Sequence, residues 1–329
     1  MDDTLHRLWS NGMLAGVYLA GAGIGAAFLL ALEPVCGPRW RDGGRSGLSR
    51  VARLLAPGAA LVLLAMAGRA WLFPEPASCD EACGFWTSPL LGLARTALCV
   101  GAWFALVRPL VRRERKASVA EAGLFLVACP LTVWVAAQDW FAHLAPRWTG
   151  TIVAPYLFAG FVAAALAMLL GGAAVAQADG DGAPAETGGV GDAAALALAF
   201  ACLWTYFWYC QYLLTWYANL PEEAAFLALR LSGGWEAPFY AAFALKGGVP
   251  FLLLVSRGGR ASRAVRFVAG VSLAFGQWLD VYVIIVPGVT GAAPLPGAPE
   301  AGSLALLALV LAAVGRAADR GSAVSGTSG

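Results

Sequence analysis

Nine mostly apolar runs, separated by polar stretches, follow one another along the chain. Each run has about the 20 residues that an α-helix needs to cross the hydrocarbon core of a bilayer. Unpaired backbone groups are costly in lipid, so these runs are expected to be helices. The predicted spans are 12–32, 51–73, 88–109, 119–141, 151–176, 193–218, 236–256, 264–286 and 301–316. The pattern therefore predicts an all-α, polytopic integral membrane bundle of about nine transmembrane helices.

Lys and Arg are distributed unevenly among the polar stretches. The basic segments are 39–53, 108–116, 257–266 and 316–320, whereas Arg7, Arg147 and Arg230 stand alone in the other loops. If the spans alternate in direction, all the basic segments fall on one side. Short cytoplasmic loops carry the excess of Lys and Arg, so this side is cytoplasmic. The N-terminus is therefore expected outside and the C-terminus inside.

The polar stretches also suggest a division of the chain. Residues 177–192 are acidic and Gly-rich, which is typical of a flexible linker, and the alternation of spans makes this linker cytoplasmic. They separate a first transmembrane helix group, within 1–176, from a second group within 193–316. Residues 317–329 are predicted to form a disordered cytoplasmic tail.

Composition agrees with a membrane protein and argues against resident redox metals. The chain is 60% hydrophobic and 13% charged, whereas soluble proteins average about 25% charged residues. One of its two histidines, His6, lies in the N-terminal tail, so the pair of axial histidines that a membrane haem needs is not expected. The sequence has no haem-attachment, iron–sulfur or nucleotide-binding motif either. We expect no metal or cofactor on this chain and no nucleic-acid partner.

Two cysteines lie close together in a polar loop. Cys79 and Cys83 fall between spans 2 and 3, on the side predicted to be outside. A disulfide is permitted there if the compartment is oxidising. The alternative is a pair of free loop thiols.

Charged side chains inside or at the ends of the spans are functional candidates, because a charge in a bilayer is costly. They are Glu33, Arg69, Arg95, Glu121, Asp139, Lys246 and Asp280, with Gln138, Gln211 and Gln277 as neutral companions. Asp139 and Asp280 fall in the outer halves of their spans. Lys246 lies near the middle of span 7, beside a Gly-Gly pair and Pro250 that can loosen the helix.

These positions suggest a proton path that runs from the outer face toward mid-membrane. Asp139, His143, Lys246 and Asp280 are its candidates, because buried titratable groups can exist both charged and neutral at working pH. Arg95, Gln211 and Gln277 are the supporting polar residues. Under the alternative interpretation the charges only hold helices together, with Arg95 paired to Asp139 or Asp280.

One segment resembles a known family. Residues 207–235, FWYCQYLLTWYANLPEEAAFLALRLSGGW, join an aromatic helix to an Asn-Leu-Pro-Glu-Glu turn, an Arg and a Gly-Gly-Trp. This is similar to the F subunit of alternative complex III, the bacterial quinol:cytochrome c oxidoreductase. Agreement extends over roughly 85–290, including the VPFLLLVSRGGR helix end and an Asp-Trp turn at Asp139 and Trp140. Where the family has Met-Ser, this chain has Ala142-His143. The family usually has ten helices, whereas nine are predicted here.

The resemblance implies an integral subunit of a respiratory complex in the bacterial inner (cytoplasmic) membrane. Its expected partners are a homologous membrane subunit of the polysulfide-reductase anchor type, extracytoplasmic subunits that carry haem c and iron–sulfur clusters, and lipid. A terminal oxidase is a further candidate partner, and quinol or menaquinol a candidate ligand. Asn219, Pro221, Glu222 and Glu223 are predicted to dock an extracytoplasmic subunit. The alternative for this segment is a plain helix stop with a solvated acidic turn.

Two other functions remain open. A secondary transporter or ion channel would also use intramembrane Asp139, Lys246 and Asp280. Transporters are expected to contain two repeats with broken helices at the midplane, and only span 7 shows such a break. A purely structural membrane anchor is the third interpretation. Whether the chain is itself an enzyme is left open by the sequence.

Overall fold

The computed structural model describes residues 2–37, 42–68, 88–112, 117–141, 152–176, 189–218, 221–290 and 297–325. Every regular element within these ranges is helical. The helices are α1 (Asp2–Cys36), α2 (Asp42–Ala52), α3 (Leu55–Ala67), α4 (Pro89–Val111), α5 (Val119–Phe141), α6 (Val153–Ala176), α7 (Gly189–Ala218), α8 (Pro221–Arg230), α9 (Glu236–Phe243), a π-turn (Ala244–Gly248), α10 (Val249–Leu254), α11 (Arg257–Ala261), α12 (Arg263–Thr290) and α13 (Ala298–Ser325).

Eight segments of the described chain are long and apolar enough to cross a membrane. They are Thr4–Cys36, Gly44–Ala67, Pro89–Val111, Val119–Phe141, Val153–Ala173, Asp192–Ala218, Glu236–Leu254 and Arg263–Val289. These segments correspond to the first eight predicted spans, and they indicate a multi-pass membrane protein. The predicted all-helical architecture is confirmed. The ninth predicted span falls on α13, whose described apolar part, Ala298–Val310, is shorter than the other segments.

Helix α1 lies at the centre of the bundle. Within the chain, 94% of its apolar stretch is buried, against 83% for α6 and for α12 and 28% for α7. Glycines bring the inner helices together: a Cβ atom at Gly25 of α1 would lie only 2.2 Å from the carbonyl oxygen of Phe161 on α6. Small residues allow such close approach of helices in lipid. The outer helices, α4, α5 and α7, leave most of their apolar stretches exposed.

Some boundaries differ from the predicted ones. The second span begins earlier than predicted, at Gly44 within the helix α2, so Arg45 and Arg50 lie on a helix and not in a loop. The side chain of Arg45 pairs with Glu33 at the end of α1 and donates to the carbonyl of Leu110 at 3.4 Å. Helix α7 already includes 189–192 of the predicted linker, and α13 continues through 317–325 of the predicted disordered tail.

A polar cluster joins the beginnings of α1 and α13. The guanidinium of Arg7 pairs with the Glu300 carboxylate at 2.7 Å, and the Asn11 amide donates to the same carboxylate at 3.1 Å. The hydroxyl of Ser303 donates to the Asn11 side-chain oxygen at 3.0 Å. These contacts place the first turns of both helices at the same end of the bundle.

Candidate functional site

A buried ion pair links the middle of the seventh span to α12. The Lys246 ammonium donates to Asp280 Oδ2 at 2.6 Å, and the Tyr156 hydroxyl of α6 donates to Asp280 Oδ1. Lys246 is 0% exposed and Asp280 4% exposed. The carboxylate is therefore satisfied on both oxygens by side chains from two other elements. We call Tyr156, Lys246, Gln277 and Asp280 the buried polar cluster.

Lys246 reaches this position from a π-turn. The turn spans Ala244–Gly248, and Pro250 follows it on α10. Proline has no N–H with which to bond the carbonyl four residues earlier, here that of Lys246, so the regular α-helical hydrogen-bond pattern is interrupted at this point. Short π segments inside helices occur frequently at functional sites. The structure thus has a break where the Gly-Gly pair and Pro250 predicted one.

Glycines on the facing helices leave room for the lysine side chain. A Cβ atom at Gly160 of α6 would lie 2.8 Å from Lys246 Nζ and 2.6 Å from Gln277 Oε1. A Cβ atom at Gly276 of α12 would lie 3.0 Å from the backbone nitrogen of Lys246. A larger residue at either position would displace the ion pair or its backbone.

Aromatic rings surround the ammonium group. Lys246 Nζ lies 4.1 Å from the centre of the Trp204 ring and 5.6 Å from that of Tyr156. The negative faces of such rings attract a cation. Trp204 on α7 is fully buried. The positive charge is therefore stabilised by the rings as well as by Asp280.

Gln277 supplies an unused donor and acceptor beside the ion pair. It is 1% exposed, and neither its amide nitrogen nor its amide oxygen has a hydrogen-bond partner among the described residues. It precedes Asp280 by three residues, so the two side chains share one face of α12. Since buried polar groups are almost always paired, this amide is suited to bind a water molecule.

A small cavity of about 50 Å³ adjoins the cluster. Tyr156, Asp280 and Arg230 contribute its polar lining, and Trp208 and Phe239 are among its aromatic walls. A water molecule needs about 10–15 Å³ of such space, so a few waters fit. A cavity that holds benzene measures about 150 Å³, and the ring of a quinol is therefore too large for this one.

Arg230 closes the cavity from α8. It is 1% exposed and donates to the carbonyls of Val283 at 2.9 Å, Ile284 at 2.6 Å and Phe226 at 2.6 Å. The Val283 carbonyl needs an outside donor because Pro287, four residues later in α12, has no N–H. Burial lowers the pKa of Arg230 to about 9, so the guanidinium is still charged at neutral pH.

A second ion pair lies between α4 and α5. Arg95 donates to both carboxylate oxygens of Asp139, from Nη2 to Oδ1 at 2.6 Å and from Nε to Oδ2 at 3.0 Å, and Asp139 is fully buried. This two-pronged geometry is the strong form of an arginine–carboxylate contact. The pairing agrees with the assembly role considered for these two residues, whereas Asp280 pairs with Lys246 and not with Arg95.

The remaining predicted residues are distributed as follows. His143, Asn219, Cys79 and Cys83 lie outside the described residues. Pro221, Glu222 and Glu223 form the first turn of α8. Gln211 is half-buried on α7, where its backbone carbonyl accepts a hydrogen bond from the Thr215 hydroxyl at 2.9 Å.

Three residues of the site were not selected from the sequence as site residues: Tyr156, Trp204 and Arg230. Tyr156 had one signal, a phenol three residues after the start of the apolar segment that begins at Val153. Trp204 is one of many aromatic residues within 200–217, and nothing in the sequence distinguishes it from the others. Arg230 was counted only for topology and for the family resemblance.

These observations define a class: a multi-pass helical membrane protein with a buried, glycine-enclosed polar cluster. No protein-family model matches the chain. No curated protein matches it either.

Proposed function

We propose that this chain is an integral membrane subunit of a respiratory quinol:cytochrome c, or quinol:electron-carrier, oxidoreductase, in which it serves as scaffold and proton conductor. The proton-conducting role is supported by the buried polar cluster. In it, Lys246 Nζ and Asp280 Oδ2 lie 2.6 Å apart, beside the side-chain amide of Gln277, which has no hydrogen-bond partner among the described residues. The assignment to a quinol-oxidising complex rests on the resemblance of 207–235 to the F subunit of alternative complex III.

The cluster has the chemistry of a proton-transfer site. Quinol oxidation releases protons together with electrons, and the electrons pass to haem c and iron–sulfur clusters on the partner subunits. A proton can move along the hydrogen bond from the Lys246 ammonium to Asp280, and from there to water in the adjoining cavity. Asp139 and His143 remain the proposed outer members of this path. Arg95 cannot take part in the exchange, because a guanidinium keeps its proton in proteins.

The proposal separates proton transfer from quinol binding. The cavity of about 50 Å³ beside Asp280 supports water as its content. We therefore assign the quinol or menaquinol to the homologous membrane subunit or to a contact surface shared with it. The segment with Pro221, Glu222 and Glu223 is the proposed dock for the extracytoplasmic subunits. Next to it, Trp216 and Tyr217 at the end of α7 are exposed, as residues of an interface belt or a subunit contact would be.

The proposed topology has nine spans, with the N-terminus outside. Contacts between α1 and α13 support it, because Arg7 and Glu300 bring the starts of both helices to one face. Such an arrangement needs an even number of crossings before α13, and eight candidate spans precede it. The basic segments then all face the cytoplasm.

Reporter fusions test this topology. Fusions at residues 45 and 115 are expected to report a cytoplasmic position, and fusions at 80 and 225 an extracytoplasmic one, because of the distribution of Arg and Lys. Each position is fused to two reporter enzymes in turn, one active only inside the cell and the other only outside it, and the two activities are compared. The inverted pattern would contradict both the orientation and a disulfide between Cys79 and Cys83.

Purification and proton release test the function. A tagged chain isolated in mild detergent is expected to retain haem c and iron–sulfur proteins and to support quinol-dependent cytochrome c reduction. In that preparation Asp280→Asn is expected to slow turnover and proton release by about 100-fold, a typical contribution of a positioned acid–base group. Asp139→Asn is expected to slow both as well, as an outer member of the path.

Glu300→Gln is the matched control. Glu300 is as deeply buried as Asp280 and pairs with an arginine, but it belongs to the cluster between α1 and α13. Its variant should turn over at the unaltered rate. Wild-type turnover and proton release in both aspartate variants would make the charges structural. A chain that purifies alone and transports a substrate in liposomes would favour the transporter instead.

A further inference from the structure

A second, larger cavity lies between α3 and α4. Its volume is about 420 Å³. Its walls are mainly apolar, with Leu55 and Ala56 on α3 and Phe104 and Val107 on α4. We call this feature the α3–α4 groove.

Two arginines line the same groove from different helices. Arg53 precedes α3 and Arg108 lies in the last turn of α4, and both are exposed. No acidic residue is among the described residues that line the groove. The nearby carboxylate of Glu33 is engaged by Arg45, which itself contacts Leu110 of α4. The groove is therefore lined by two positive charges, and no described residue of its lining carries a negative charge.

The arginines mark the level at which the apolar part of each helix ends. Arg53 lies two residues before the start of the apolar helix Leu55–Ala67, and Arg108 follows Val107 near the C-terminal end of α4. Both belong to the basic segments that are proposed to face the cytoplasm. Guanidinium groups at this depth meet lipid headgroups, while the walls below them meet acyl chains.

We propose that the α3–α4 groove binds one anionic phospholipid. Its phosphate is held between the guanidinium groups of Arg53 and Arg108, and an acyl chain lies along Leu55, Ala56 and Phe104. Arginine binds phosphate through planar pairs of N–H donors, and basic pockets between transmembrane helices on the cytoplasmic side bind anionic headgroups. A neutral amphiphile such as a quinol would leave the two like charges uncompensated.

Lipid binding to the purified full chain tests the proposal. Native mass spectrometry in detergent, with added phosphatidylglycerol, counts bound lipids as a function of lipid concentration. The double variant Arg53→Gln/Arg108→Gln is expected to weaken the tightest binding by about 30-fold, the effect of losing two basic residues at an anionic membrane surface. Phosphatidylcholine is expected to bind far more weakly to the unaltered chain.

The control is Arg112→Gln/Arg257→Gln. This variant removes the same charge from two exposed arginines of the basic segments that do not line the groove, and it should keep the tightest binding within about twofold, since general surface charge is screened over short distances. Equal losses in the two double variants would overturn the proposal, because binding would then follow net charge. Equal affinity for phosphatidylcholine, or displacement of the lipid by an equal concentration of inorganic phosphate, would overturn it as well.

Discussion

Lys246→Met is expected to lower the free energy of unfolding by about 3–5 kcal/mol, the usual cost of removing one member of a buried ion pair. Methionine nearly preserves the length of the side chain, so the packing against Trp204 changes little. The Asp280 carboxylate, however, loses the ammonium that lies 2.6 Å away. It then remains in a bundle where it is 4% exposed. Unfolding of the chain in detergent, followed by tryptophan fluorescence, measures the loss.

The double variant Lys246→Met/Asp280→Asn separates charge from packing. Asparagine is neutral and can still accept from the Tyr156 hydroxyl, so most of the lost stability should return. Arg45→Met serves as the control, because its pair with Glu33 is partly exposed and such pairs contribute about 0–1 kcal/mol. If the single and double variants were equally unstable, the role assigned to the ion pair would be wrong.

Arg230→Met is expected to lower the free energy of unfolding by about 1–3 kcal/mol, because the buried Val283 carbonyl, which faces Pro287 at its helical donor position, is then left without a donor. The substitution removes hydrogen bonds to the carbonyls of Val283, Ile284 and Phe226. It also removes the contact of the guanidinium with the Phe226 ring, 3.4 Å from its centre. The same unfolding measurement applies. Arg230→Lys should recover little, since one ammonium cannot replace the planar fork of donors.

Pro287→Ala tests the reason for this effect. Alanine restores an N–H four residues after Val283, so that carbonyl no longer depends on Arg230. In the Pro287→Ala background, Arg230→Met should therefore cost about 1 kcal/mol less than in the natural chain. Strictly additive effects of the two substitutions would contradict the proposed link between the proline and the arginine.

The architecture was predictable because the bilayer imposes its own length on the chain. Each of the eight candidate spans matches an apolar run of the sequence, and helices are the only elements that satisfy an isolated span's backbone. Helix α2 was missed as a helix because its arginines were interpreted as loop residues. The segment Asp42–Ala52 is rich in Gly, Ser and Arg, a composition that is also typical of loops.

The charged residues of the site could be predicted from the sequence, but which of them pair with one another could not. Lys246, Asp280 and Gln277 were selected because polar groups in apolar runs are costly, and the structure brings all three together. Which carboxylate meets which cation depends on the rotation of each helix about its axis, and a single sequence does not encode this in any local pattern. Arg230 illustrates the limit, because its role depends on Pro287, distant in sequence and part of another helix.

The central position of α1 has a consequence for biogenesis. Gly16 and Gly23 of α1 pack against the nearby α3, but Gly21 and Gly25 pack against Phe161 of α6, which begins only at Val153. A ribosome must therefore translate α2 to α5 before α1 meets α6. Until then the membrane insertion machinery or lipid has to accommodate the grooves at Gly21 and Gly25, which later receive Phe161. Chains interrupted before α6 should consequently be substrates for membrane proteases, and slow translation through α4 and α5 would lengthen the time for which these grooves stay unfilled.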